Sequence, residues 1–176
     1  MRWHGYGVGV AEAALPLGAL LGRHVSATSY TDCFVVTVPG RITHADYVEA
    51  FYTTALFKLE RLALAVLLLR PSSDPEARRL ATGEVSRFAA WTVEAREADQ
   101  ILLCDFLGAS RSWLMSVEDG TEGATTLYFG TALVPHPGGD RLGVGLRALI
   151  PFHRPYARAL LRSAVRRLAR LAVRPA

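Results

Sequence analysis

"PFHRPYARALLRSAVRRLARLAV", residues 151–173, is the stretch on which the reading of this chain turns. Placed at helical period, Ala157, Leu160, Leu161, Ala164, Val165, Leu168, Leu171 and Ala172 gather on one arc, while Arg158, Arg162, Arg166, Arg167, Arg170 and Arg174 occupy the other. A helix divided in this way has three uses. It packs its leucine face on the rest of the fold, lies on an anionic membrane, or holds phosphates. The apolar arc lacks the Trp and Phe that membrane-seeking helices favour. The basic arc lacks interleaved aromatics and the amide side chains that read bases. Packing is therefore the leading expectation and peripheral membrane contact through the arginine face the alternative. Nucleic acid is not expected as a partner.

The charge distribution frames that choice. The 176 residues carry 20 Lys+Arg, of which only Lys58 is lysine, against 16 Asp+Glu, for a net charge of +4. All 16 acids fall within residues 1–140, whereas residues 141–176 hold nine arginines and no acid. A basic segment on an acidic body either serves an outside partner or is neutralised by that body. A content of 51% hydrophobic and 20% charged residues excludes a disordered chain, and the length fits one domain over residues 1–176. The Ala- and Arg-rich composition is that of a GC-rich bacterial genome.

Cys33 and Cys104 form no C-x-x-C or zinc spacing, and each lies in an apolar run, so both are expected as reduced core thiols in a cytoplasmic protein. "MRWHGYGVGVAEAALPLGALLGRHVSA" loosely imitates a signal peptide, but Glu12 and Pro16 interrupt its apolar stretch. Residues 1–27 are an N-terminal segment to which the sequence assigns no element. "LALAVLLL", residues 62–69, is too short to span a bilayer, which takes about 20 apolar residues.

Outward from the terminal helix, the other elements follow from period and punctuation. "SYTDCFVVTVP" (29–39) is a strand ending at Pro39-Gly40. In "ITHADYVEAFYTT", Thr43 and Asp46 make a variant capping box, and Tyr47, Val48, Phe51 and Tyr52 share one helical face. "ALFKLERLALAVLLLRP" is a second helix, apolar all round from Leu62 to Leu69 and so expected in the core. "SSDPEARRLATG" is a short helix with Asp74 as N-cap, Pro75 at the first position and Gly83 at the end. "RFAAWTVEAR", "QILLCDFLG", "RSWLMSVEDG" and "ATTLYFGTALVP" then read as four strands of an antiparallel meander, giving five strands in all. "HPGGD" (136–140) is a loop. The chain returns to helix from about Leu142, with breaks expected at Pro151 and Pro155. Strands that cluster instead of alternating with helices indicate an α+β fold.

This order resembles the helix-grip fold of the START-like superfamily, which includes polyketide cyclases, lipid-transfer domains and Bet v 1-type allergens. "FAAWTVEAREADQILLCDF", "TTLYFG" and "PFHRPYARALLRSA" are similar to stretches in members of unassigned function. The resemblance covers residues 29–173 and is topological. It implies a curved antiparallel sheet wrapped around a long C-terminal helix with an apolar cavity between them. It also implies six or seven strands, so the missing ones must come from residues 1–27 or from irregular segments.

Signatures of chemistry are sparse. His4, His24, His44, His136 and His153 show no H-x-x-x-H or H-E-x-x-H spacing, and neither metal nor cofactor is expected. "GYGVGV" lacks the strand and third glycine of a dinucleotide loop, and no G-x-S-x-G is present. The most suggestive polar group lies in "CDFLGASRSW". A loop over Leu107–Ala109 would set Asp105 opposite Arg111, both on the side of Trp113 and Met115. The same two charges also fit a solvent-facing cross-strand pair, because a shift of one residue in register reverses the faces. Trp91, Trp113 and Tyr128 are aromatic strand residues, and His153 precedes the arginine-rich turns. Trp91, Asp105, Arg111, Trp113, Tyr128 and His153 are thus the candidate ligand-binding residues.

The resemblance implies non-catalytic binding of a small hydrophobic or lipid-like molecule. The alternatives are a cyclase-, dehydratase- or isomerase-type enzyme using Asp105, Arg111, Tyr128 and His153, and a ligand-free interaction module that forms a homodimer through an exposed sheet or helix.

Overall fold

The computed structural model describes residues 9–68, 71–119, 123–135 and 144–172. His4, His136, most of the glycine-alternating "GYGVGV" and the loop expected at 136–140 lie outside the described residues, as do the side chains of Glu60, residues 63–68, Asp119 and residues 144–146, 148 and 149.

The strands are β1 (Ala11–Glu12), β2 (Tyr30–Pro39), β3 (Arg87–Phe88), β4 (Trp91–Arg96), β5 (Gln100–Asp105), β6 (Ser110–Asp119) and β7 (Ala124–Leu133). They form one curved, open, seven-stranded sheet in the order β1-β2-β7-β6-β5-β4-β3, with every pairing antiparallel. Two strands join the five read from the sequence, one from the N-terminal segment as expected and one from within a run read as a single strand. β1 comes from the N-terminal segment. The run "RFAAWTVEAR" folds back on itself at Ala89-Ala90 to give β3 and β4, with Phe88 paired to Trp91. Ala89 takes a left-handed φ of 52° at that corner, a conformation a non-glycine residue does not advertise.

Helices α1 (His44–Tyr52), α2 (Ala55–Leu68), α3 (Asp74–Thr82) and α4 (Val144–Ala172) complete the α+β fold. Thr43 caps α1 by accepting the Asp46 amide, and Tyr47, Val48, Phe51 and Tyr52 are all buried. The cap of α3 lies one residue earlier than expected. Ser73 accepts from the Glu76 amide while the Glu76 carboxylate accepts from the Ser73 amide, a full capping box. Asp74 is thereby free to pair with Lys58 and Arg61 of α2. In α2, Leu59 and Leu62 are exposed while Phe57 and Arg61 are buried.

α4 runs unbroken through Pro151 and Pro155, against the expectation of breaks. Each proline removes one N–H and crowds the carbonyl four residues back. Pro151, Pro155 and Arg147 are all exposed, so the carbonyls left without a donor lie on the solvent side, where water replaces the missing bonds. No described helix is long and apolar enough to cross a membrane.

Strand alternation divides the core in two. On the inner face, Phe34, Val36, Val38, Ile101, Leu103, Leu114, Leu127 and Phe129 pack against α1, α3 and α4. The apolar arc of α4 meets them through Ala157, Leu160, Leu161, Ala164, Val165 and Leu168, all buried, whereas Leu171 and Ala172 emerge. The arginine helix therefore packs as expected. Its arginines are partly neutralised by the body, since Arg154 and Arg158 both reach Glu12 of β1.

On the outer face, Cys33, Leu102, Trp113, Met115 and Ala132 are covered by Ala19, Leu20 and Leu21 of the segment around the 3-10 turn Leu20–His24. Gln100 fastens this strap: its Oε1 accepts from Leu20 N at 2.9 Å and Trp113 Nε1 at 2.9 Å, and its Nε2 donates to Gly18 O at 3.2 Å. Gly130 makes room for it, because a Cβ there would meet Leu21 Cδ2 at 2.7 Å and the Asp32 carbonyl at 3.0 Å. Cys33 and Cys104 are both free thiols. Cys33 is buried and pushed up to about 12 by burial, which keeps it protonated and unreactive, while Cys104 is half-buried.

Candidate functional site

A cavity of about 210 Å³ lies between the inner face of the sheet and α4. Phe51, Phe57, Trp91, Phe129, Tyr156 and Leu160 give it apolar walls, and Ser110, Ser112, Thr131 and His153 bring polar groups to them. The walls follow from local sequence. Phe51 closes the buried face of α1 and sits with its ring centroid 4.7 Å from Phe129 of β7. Ser110, Ser112 and Leu114 alternate along the inner side of β6, so two small residues leave space where a larger pair would fill the core. Ser112 is satisfied by the Tyr52 hydroxyl at 3.1 Å.

Three polar atoms on lining residues are buried with no hydrogen-bond partner: Trp91 Nε1, Thr131 Oγ1 and His153 Nε2. Buried polar atoms are nearly always satisfied, and each one left alone costs about 1–3 kcal/mol. Here the three are an indole N–H, a hydroxyl and an imidazole nitrogen, each enclosed behind the lining, with the imidazole nitrogen facing Asp32.

The fullest electrostatic network behind the lining residues Thr131 and His153 is one that no motif announced. Asp32 of β2 is almost wholly enclosed. Its Oδ1 accepts from the Thr131 amide at 3.1 Å and its Oδ2 from the Tyr30 hydroxyl at 2.9 Å, while His153 Nε2 stands 3.6 Å from Oδ2. Tyr30 also meets the His153 ring edge-on at 6.4 Å. Burial raises the Asp32 carboxyl above its ordinary value, opposed by the His153 charge and by the two donors. Burial lowers His153, with Asp32 pulling the other way. Tyr30 is raised by burial and by Asp32, which keeps its hydroxyl a donor. Chemically, an imidazole beside a buried carboxyl group can take part in proton transfer and be steadied while it holds the proton.

The six sequence candidates scatter over both faces. Trp91 and His153 line the cavity. Asp105 does not oppose Arg111, because β5 pairs Cys104 with Arg111 and the turn spans Phe106–Ala109. Asp105 Oδ1 instead accepts from the Ala109 and Ser110 amides at 2.8 and 3.1 Å, holding the turn closed. The Arg111 guanidinium turns away to Glu94 at 2.7 Å and to the Gly108 carbonyl, leaving only its strand position at the cavity edge. Glu94 also binds His24 at 2.6 Å. Trp113 and Tyr128 lie on the outer face, 6.2 Å apart by ring centroids, beneath the N-terminal strap.

Sequence reasoning missed Asp32, Tyr30, Thr131 and Tyr156. Asp32 had a readable signal, since alternation places it with Tyr30, Phe34, Val36 and Val38 on one face of the strand, an acid on an otherwise apolar row. Compared with protein-family models, curated proteins and solved structures, the chain matches none.

Proposed function

We propose that this chain is a helix-grip domain of START-like type that binds a small, mostly apolar molecule bearing one polar group, without transforming it. The observation that carries this reading is the space between sheet and terminal helix, walled by Phe51, Phe57, Trp91, Phe129, Tyr156 and Leu160, with Ser110, Ser112, Thr131 and His153 among its lining residues. Pockets of this kind fix orientation with a few polar groups and supply affinity through apolar contact. Size narrows the ligand. About 210 Å³ is below the range of about 300–1,000 Å³ usual for drug-sized ligands. A single ring or a short chain fits, and a whole diacyl lipid does not.

An enzyme of the isomerase or dehydratase type is the second reading, favoured by the buried Asp32 that stands beside His153 of the cavity lining. In it His153 takes a proton from bound substrate and Asp32 stabilises the imidazolium. The residues carrying it differ from the sequence set except for His153.

Quenching of Trp91 fluorescence by a panel of single-ring phenols and benzoates tests the binding reading, with Trp91→Phe as the blank. The expected result is saturable quenching, weakened about fivefold to tenfold by Thr131→Val, which keeps shape and removes the unpartnered hydroxyl. No saturation with any member, or indifference to Thr131→Val, contradicts it. Proton exchange or chemical change of a bound member, lost in His153→Gln while binding persists, selects the enzyme.

A further inference from the structure

We propose that a second cleft, between the start of α2 and the last turns of α4, is an oxyanion site that takes a phosphoryl group. The cleft measures about 420 Å³ and shares no lining residue with the inner cavity. Lys58 of α2 and Arg166, Arg167 and Arg170 of α4 line it, with no Asp or Glu among its described lining residues.

Because α4 is continuous, Arg166 and Arg170 stand one turn apart on the same side, a like-charge spacing that costs a few tenths of a kcal/mol without a counter-charge. Higher on the same helix, Arg154 and Arg158 find Glu12. Among the described side chains nothing plays that part for Arg166, Arg167 or Arg170. Lys58 is the exception, already paired with Asp74. Arg167 is half-buried, and its Nε is enclosed with no hydrogen-bond partner. Cations brought together, one of them partly stripped of water, favour an anion supplied from outside.

The rest of the lining suits a phosphoryl group. Thr53, Thr54 and Ala55 bring the start of α2 to the cleft, adding the partial positive charge of a helix N-terminus. The Phe57 amide is already taken by Thr54 Oγ1 at 3.1 Å, so the four cations are the principal donors. Leu171, 45% exposed at the edge, gives an apolar surface for whatever carries the phosphate. The volume lies within the usual range for organic ligands, about 300–1,000 Å³.

Two sources share this chemistry, a soluble phosphomonoester and the headgroup of a phosphatidic-acid-like lipid. Calorimetric titration with inorganic phosphate and phenyl phosphate examines the first. Co-sedimentation with phosphatidylcholine vesicles, with and without phosphatidic acid, examines the second. Both arms compare the native chain with Arg166→Gln/Arg170→Gln, two exposed positions, and with Arg162→Gln, an exposed arginine outside the cleft. Melting curves confirm that each variant is folded. The expected result is saturable binding in at least one arm, weakened tenfold or more by the double substitution, unchanged by Arg162→Gln, and diminished by added salt. Soluble binding alone assigns a phosphomonoester. Retention that requires phosphatidic acid and responds to the double substitution assigns the headgroup. No saturable binding in either arm, or an equal loss in the Arg162→Gln control, overturns the proposal.

Discussion

At the scale of single residues, burial decides more than charge. His44 donates or accepts at Nδ1 with Ser116 Oγ at 3.2 Å, while its Nε2 is buried without a partner. Burial, together with nearby Arg96, lowers its pKa to about 4. The unfolded chain therefore binds a proton on this imidazole between pH 6.5 and 4 that the folded chain refuses, and stability falls as pH drops through that window. At about 1.4 kcal/mol per unit, the full effect approaches roughly 3 kcal/mol. Urea denaturation at pH 7 and pH 4.5 should show His44→Gln losing less stability on acidification than the native chain. Equal losses would mean that His44 is accessible to protons in the folded state. Asp32 teaches a related lesson. Its place on an apolar strand face was readable in "YTDCFVVTV", but its partners were not, because Thr131 and His153 reach it only through sheet pairing and the docking of α4.

At the scale of elements, the terminal helix was the most legible part of the chain and also the source of one error. Its apolar arc predicted the buried face residue by residue from Ala157 to Leu168. The prolines suggested a break that solvent exposure makes unnecessary. If α4 is continuous, Pro155→Ala restores a hydrogen bond to the Pro151 carbonyl and relieves the ring's crowding. The substitution should raise stability by about 1–3 kcal/mol, read as a higher melting temperature. A chain that actually bends or unwinds at Pro155 would show no gain. Register in the β5–β6 hairpin was beyond the sequence for a different reason. "DFLGASR" admits loops differing by one residue, and the choice is made by Asp105 accepting two turn amides, which leaves Cys104 to pair with Arg111.

At the scale of the whole molecule, alternation sorted the strand residues into two faces without saying which face looks inward. That assignment depends on the N-terminal strap, a segment with no period to read. Gln100 binds it at two points and Gly130 gives Leu21 space, so Trp113 and Tyr128 belong to the strap's core and not to the cavity. The cavity is then what remains where Ser110 and Ser112 face α4, and Thr131 and His153 add polar residues to its aromatic lining. Native mass spectrometry of the chain as purified and after addition of the single-ring panel, beside a Ser110→Phe variant whose new ring fills the cavity, tests this central claim most directly. The account predicts a one-to-one small-molecule adduct on the native chain and none on the variant. Bare chain under every condition, or an adduct that persists in Ser110→Phe, would contradict it.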